Sequence, residues 1–125
     1  MRVAVVAIVV LLAGCSAPLR LRIDVHDSYG GTTTINGDVR YNPTGHQQDY
    51  TASCGGTGHL KVGLSEYHLG GAAFVAKDAG GIVLAEIHLN QVDSQERDIS
   101  GGAGMWLVHV GLDRFNGAFD LQLSC

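Results

Sequence analysis

Six histidines are the residues in this chain best equipped for chemistry: His26, His46, His59, His68, His88 and His109. Imidazole binds Zn²⁺ or Cu²⁺, and a site can be assembled from side chains on neighbouring strands. His88 and His109 each fall on the outward phase of an alternating segment, and Glu86 shares the phase of His88. If those segments lie side by side, the three converge on a metal. However, the chain has no His-x-His or His-x₃-His spacing and no Cys-His-Met set. Scattered exposed histidines are therefore the simpler reading, and no metal or other cofactor is expected. Serine chemistry fares no better. Ser53, Ser65 and Ser100 lie near glycines, but no Gly-x-Ser-x-Gly elbow occurs. The chain reads as a non-enzyme. The remaining candidates are for binding. Tyr67 precedes His68 and Gly70-Gly71 and is expected on a loop as an exposed aromatic. Residues 90–104 form the longest polar stretch, with Asp93, Glu96, Arg97 and Asp98, and 90–103 is expected to be a binding loop at the end away from Cys15. Trp106 is in phase with Val108 and Val110 and is assigned to the core.

The N-terminus specifies location. Arg2 precedes an unbroken apolar run from Val3 to Ala13, and small residues lead into Cys15. This is the layout of an export signal, and the run is too short to span a bilayer as a helix. Leu12-Ala13-Gly14-Cys15 resembles the lipobox of bacterial lipoproteins. The resemblance implies that residues 1–14 are removed and that Cys15 becomes a diacylglyceryl-modified first residue. Two or three acyl chains on Cys15 give stable anchoring where one gives only reversible binding. Ser16 follows the cysteine, which in such proteins implies the outer membrane of a Gram-negative cell, or the outer face of the plasma membrane in a Gram-positive one. Residues 15–18 then form a short tether ahead of a single domain spanning 19–125. The expected partners are the membrane, through the lipid, and another envelope component or protein.

Composition narrows the partners further. The whole chain has a formal charge of −4, with acids and bases interspersed. It has no basic cluster of the kind that binds phosphate backbones, so nucleic acid is not expected. With Cys15 taken by lipid, Cys54 and Cys125 are left in an oxidising compartment. A disulfide between them is expected, two free or metal-binding thiols being the alternative. It would close a loop of about 70 residues, worth roughly 4 kcal/mol of chain entropy.

The elements that must carry these residues read as all-β. Residues 19–25 alternate strictly, with Leu19, Leu21, Ile23 and Val25 on one face. Further strands are expected over 32–41, 50–54, 60–64, 73–77, 81–89, 105–112 and 118–125. A hairpin turn is expected at 78–81, and another turn at 113–117. About eight strands with short connections point to an antiparallel β-sandwich, of jelly-roll or immunoglobulin-like type. Gly58-His59-Leu60-Lys61-Val62, Phe74-Val75-Ala76-Lys77-Asp78, Gly104-Met105-Trp106-Leu107-Val108 and Gly117-Ala118-Phe119-Asp120-Leu121 together resemble pre-peptidase C-terminal-type sandwich modules. That resemblance implies a non-catalytic accessory that binds or packs. A periplasmic inhibitor of a cell-wall hydrolase is a second expectation. Against it, Ser100-Gly101-Gly102-Ala103-Gly104 lacks the tyrosine of the Ser-Gly-x-x-Tyr motif of membrane-bound lysozyme inhibitors.

Overall fold

The structure, a computed structural model, describes residues 20–28, 32–40 and 44–125. The expectations for the signal segment, Cys15, the tether, Leu19 and the last residue of the strand expected over 32–41 lie outside the described residues. Seven strands are present among the described residues: β1 (Arg20–Ser28), β2 (Thr32–Arg40), β3 (His46–Cys54), β4 (Thr57–Lys77), β5 (Val83–Leu89), β6 (Asp93–Ser100) and β7 (Gly104–Ser124). All pairings are antiparallel.

Two strands of 21 residues, β4 and β7, set the architecture. They pair with each other along nearly their whole length and bend together at a shared crease. The register shifts between Leu64 and Gly71 on β4, facing Asp113 to Phe119 on β7. At the crease Arg114 has φ 48° and Gly70 has φ 82°. A side chain on Gly70 would run into the carbonyl oxygens of Asp113 and Arg114, so only glycine lets the two chains pass.

The crease folds the β4–β7 ribbon into two layers. Layer A has the order β1-β2-β7-β4-β6 and uses the second half of β7 and the first half of β4. Layer B has the order β3-β7-β4-β5 and uses the other halves. The predicted strands at 60–64 and 73–77 are thus one strand, and so are those at 105–112 and 118–125. The glycines and polar residues between them create a bend within each strand and do not end it.

The core lies between the layers, and the inward phases agree with the sequence reading. Trp106, Val108, Val110 and Leu112 from layer B meet Phe119, Leu121 and Leu123 from layer A, all buried. Phe74 in layer B packs on Phe119 in layer A with ring centroids 5.7 Å apart. Phe115 sits at the crease, fully buried, 6.4 Å from Phe119. At the opposite end the Cys54–Cys125 disulfide joins the end of β3 to the chain just beyond β7, with Cα atoms 5.2 Å apart. The sandwich therefore has a crease end and a tip. The crease end holds the start of β1 and the β5–β6 turn. The tip holds the β3–β4, β4–β5 and β6–β7 turns.

One expectation is corrected by the topology. Residues 90–103 are not a loop, because 93–100 form edge strand β6, in register with β4 from Thr57 to Leu64. β6 is held through its backbone, and Ile99 is its only buried side chain. The segment consequently runs the height of the molecule, from the crease end at residues 90–92 to the tip at 101–103.

Candidate functional site

Among the described residues, hydrogen bonds and the disulfide tie several turns together at the tip. Asp78 leads the β4–β5 turn and is the only buried charged residue among those described, 7% exposed. Its carboxylate accepts backbone N–H bonds from Gly80 and Ile82 at 2.9 Å within its own turn. It also accepts one from Gly102 at 2.9 Å, in the β6–β7 turn. The N–H of Gly102, then that of Ile82, holds the Asp78 pKa below its usual value, because each bond favours the charged form. The Trp106 indole donates to the Gly102 carbonyl at 2.7 Å, and the Gly101 N–H donates to Gly56 at 2.9 Å. Three turns are thereby locked to one another, and the disulfide closes the same end. Sequence reasoning missed Asp78. Its Asp-x-Gly-Gly turn signal was legible, but its bond to a turn 24 residues away was not.

This rigid end carries apolar side chains outward. Among the described residues seven large apolar side chains are exposed, and Ile82, Val83 and Met105, at 65%, 51% and 59%, gather at the tip. The others divide between β1 (Leu21, Val25) and the crease end (Leu69, Val92).

The predicted metal residues do share a face, the outer face of layer B, but they do not converge. His88 bonds Glu86 at 2.9 Å on β5. His109 on β7 bonds Asp49 on β3 at 2.5 Å. In register, β4 lies between the two pairs, with Val75 separating His109 from Glu86. Among the described residues no group of three or more His, Cys, Asp or Glu side chains is placed to hold a metal.

The predicted binding residues are dispersed. Tyr67 is not an exposed loop aromatic: it lies within β4 at the crease, packs against Phe115 at 6.4 Å, and donates its hydroxyl to Gly70 O at 2.7 Å. Gly70-Gly71 follows it as part of the bend, so the expected loop does not form. Asp93 stands at the crease end of β6, while Glu96 and Arg97 lie along it.

A groove of about 570 Å³ lies at the tip end of β4, β6 and β7 beside the disulfide, lined by Thr57, His59, Asp98, Ser100, Ser124 and Cys125 together with Gly58 and Ile99. Ser124 stands directly across from His59 in register, and Asp98 stands on its other side. The row has the residue types of a hydrolytic triad without its geometry. His59 Nδ1 is 2.8 Å from Asp98, and Nε2 is 3.5 Å from Glu96. Both ring nitrogens face carboxylates on β6, so neither is presented to the serine as a base. The Asp98 bond, followed by the Glu96 bond, raises the His59 pKa above its usual 6.5. The arrangement is an ion-pair clamp on an edge strand.

No family model matches this chain, and no curated protein matches it. Solved structures do. The chain is similar to carbohydrate-binding module CBM6cm-2 from Cellvibrio mixtus lichenase 5A, at 13% identity and TM-score 0.47, covering 87% of this chain and 90% of that one. It is similar to the mannan-recognising module TmCBM27, at 8% identity and TM-score 0.47, covering 86% and 84%. It is also similar to the C-terminal CBM6 of LamC from Zobellia galactanivorans, at 14% identity and TM-score 0.44, covering 82% and 88%. These matches concern chain path alone, and no ligand assignment follows from them.

Proposed function

We propose that this chain is a lipid-anchored, non-enzymatic module of the bacterial envelope that presents its tip to a partner protein. One observation carries the reading: the chain enters the fold at the crease end, and the locked turns bearing Ile82, Val83 and Met105 are at the other. Arg20, the first described residue, pairs with Arg40 near the crease. Cys15 precedes it by five residues, a reach of about 17 Å when extended. A domain anchored there lies with its crease end toward the membrane and its tip away from it. Preorganised turns carrying apolar anchors suit protein recognition, because little side-chain or loop entropy remains to be lost on binding. The outer-membrane or plasma-membrane address and the absence of catalysis belong to the same reading.

The test has two parts. Replacing Cys15→Ser should release the exported protein from the membrane fraction and abolish labelling by radioactive palmitate. With the anchor intact, Ile82→Glu and Met105→Glu should abolish partner engagement while leaving the melting temperature unchanged. A Cys15→Ser protein that stays in the membrane would refute the anchor. Full engagement by both charged variants would refute the tip.

A further inference from the structure

The two layers match along one side of the sandwich and mismatch along the other. Beyond β4 each layer has one more strand, β6 in layer A and β5 in layer B, and these two touch. Beyond β7, layer A has two more strands, β2 and then β1, whereas layer B has only β3. β1 therefore overhangs a place where layer B has no strand among the described residues. The exposures record the gap. Ile35 and Val39 on the inner face of β2 are 1% and 0% exposed, whereas Leu21 and Val25 on the same face of β1 are 36% and 45% exposed. Tyr50 and Ala52 of β3 are half-buried against the core beside the gap.

Among the described residues the free edge of β3 is also unguarded. Edge strands are normally blunted by charges, proline or bulges, because their unpaired backbone groups would otherwise recruit another strand. β1 carries Arg20, Arg22, Asp24 and Asp27, and β6 carries Asp93, Glu96, Arg97 and Asp98. β3 is nine residues long, has Asp49 as its one acid or fixed cation, contains no proline, and pairs with β7 in unbroken register from His46 to Cys54.

We infer that the notch between β3 and the overhanging β1 accepts one extended segment of a partner protein, which adds to layer B as a further strand. The site is separate from the tip. The chemistry of the occupant follows from the walls. Its backbone pairs with β3, and every second side chain lies under Leu21, Ile23 and Val25; these side chains are apolar beside Tyr50 and Ala52 toward the tip, and meet His46 and Gln48 on the same face of β3 toward the crease. The alternate residues face outward beside Gln47, Asp49 and Thr51; Asp49 is already bonded to His109 of β7, so they are polar, and neutral or basic in preference to acidic. A nine-residue strand is about 30 Å long, and the space between layers is about 10 Å deep. Filling both the edge and the inner wall buries on the order of 500 Å² per partner, which reaches the roughly 1,000 Å² total of a specific interface. A second copy does not fit. Pairing β3 with its own mate would put four layer-A strands, about 19 Å of sheet, over two layer-B strands, about 10 Å. The two β1 strands would collide first.

The test uses the full chain and a labelled nine-residue peptide, Val-Lys-Val-Thr-Val-Lys-Val-Thr-Val, followed by fluorescence anisotropy and amide hydrogen exchange. The inference predicts saturable micromolar binding and slowed exchange at β3 amides. It predicts about tenfold weaker binding to the Val25→Arg variant and no change with Met105→Glu. The same peptide with N-methylated backbone should not bind, a control that is independent of any variant's folding. Several outcomes overturn the inference: no saturation up to about 1 mM, equal binding by the N-methylated peptide, protection at the tip in place of β3, or indifference to Val25→Arg. A concentration-dependent dimer abolished by Val25→Arg would overturn it in favour of a second copy.

Discussion

Replacing both halves of the disulfide, Cys54→Ala with Cys125→Ala, should lower stability mainly by freeing the unfolded chain. The bond links positions 71 residues apart. Closing a loop of that length removes about 4 kcal/mol of conformational entropy from the unfolded chain. A second cost falls on the native state. Cys54 is 5% exposed within the core cluster, and the bond closes the end where the Asp78 and Trp106 contacts hold the turns. For a domain of roughly 100 residues, 1 kcal/mol moves the midpoint by about 4–8 °C, so the double variant should melt about 15–30 °C lower. The assay is calorimetry on the oxidised protein, the same protein under reductant, and the double variant, with circular dichroism confirming a folded β domain before each scan. Hydrogen exchange would localise the loss, which should appear first at Thr57–His59 and Ser124. A midpoint within about 3 °C of the oxidised protein would refute the reasoning, since it would mean that the long loop costs little in the unfolded chain.

Other consequences are more local. Phe74→Ala should cost about 3–5 kcal/mol in urea denaturation, because Phe74 is fully buried and bridges the layers through Phe119. The Asp78 pKa is depressed in the folded state, chiefly by the Gly102 N–H and then by that of Ile82. Its stabilisation is therefore present above the unfolded value of 3.8 and lost as pH falls through the folded value. Melting temperatures of the wild type and Asp78→Asn should differ at pH 6, and the gap should narrow progressively as pH falls below 3.8; a gap that does not change with pH would contradict the assignment. The His59 pKa is raised by Asp98 first, so its contribution is present below pH 6.5 and lost as pH rises through the folded value. An NMR titration should show the His59 pKa falling in Asp98→Asn, and an unchanged curve would remove Asp98 as the cause.

Much of the fold was legible because one face of most strands is covered. Trp106, Val108, Val110 and Leu112, and then Phe119, Leu121 and Leu123, alternate with residues that the structure leaves less buried. β6 escaped because its pairing is through the backbone. Asp93, Gln95 and Arg97 share the phase of Ile99, yet only Ile99 is covered, so side-chain alternation carries no signal. The crease escaped for the opposite reason. Gly70-Gly71 and the polar run at 113–117 look like turns, and only the pairing of two bent strands shows that both chains continue through them. Tyr67 was misread for the same cause, since its neighbours resemble a loop while its ring packs on Phe115. The tip cluster depends on contacts between turns far apart in sequence, which no local pattern encodes.

The most direct test of the account is site-specific photo-crosslinking in cells, with the full chain anchored and a probe at Met105 or Ile82 on the tip, or at Leu69 on the crease end. The account predicts one discrete protein adduct from each tip position, lost on making the neighbouring tip residue glutamate, and none of that size from Leu69. The same adduct from Leu69 and from the tip, or no adduct from either tip position with the protein abundant and folded, would contradict it.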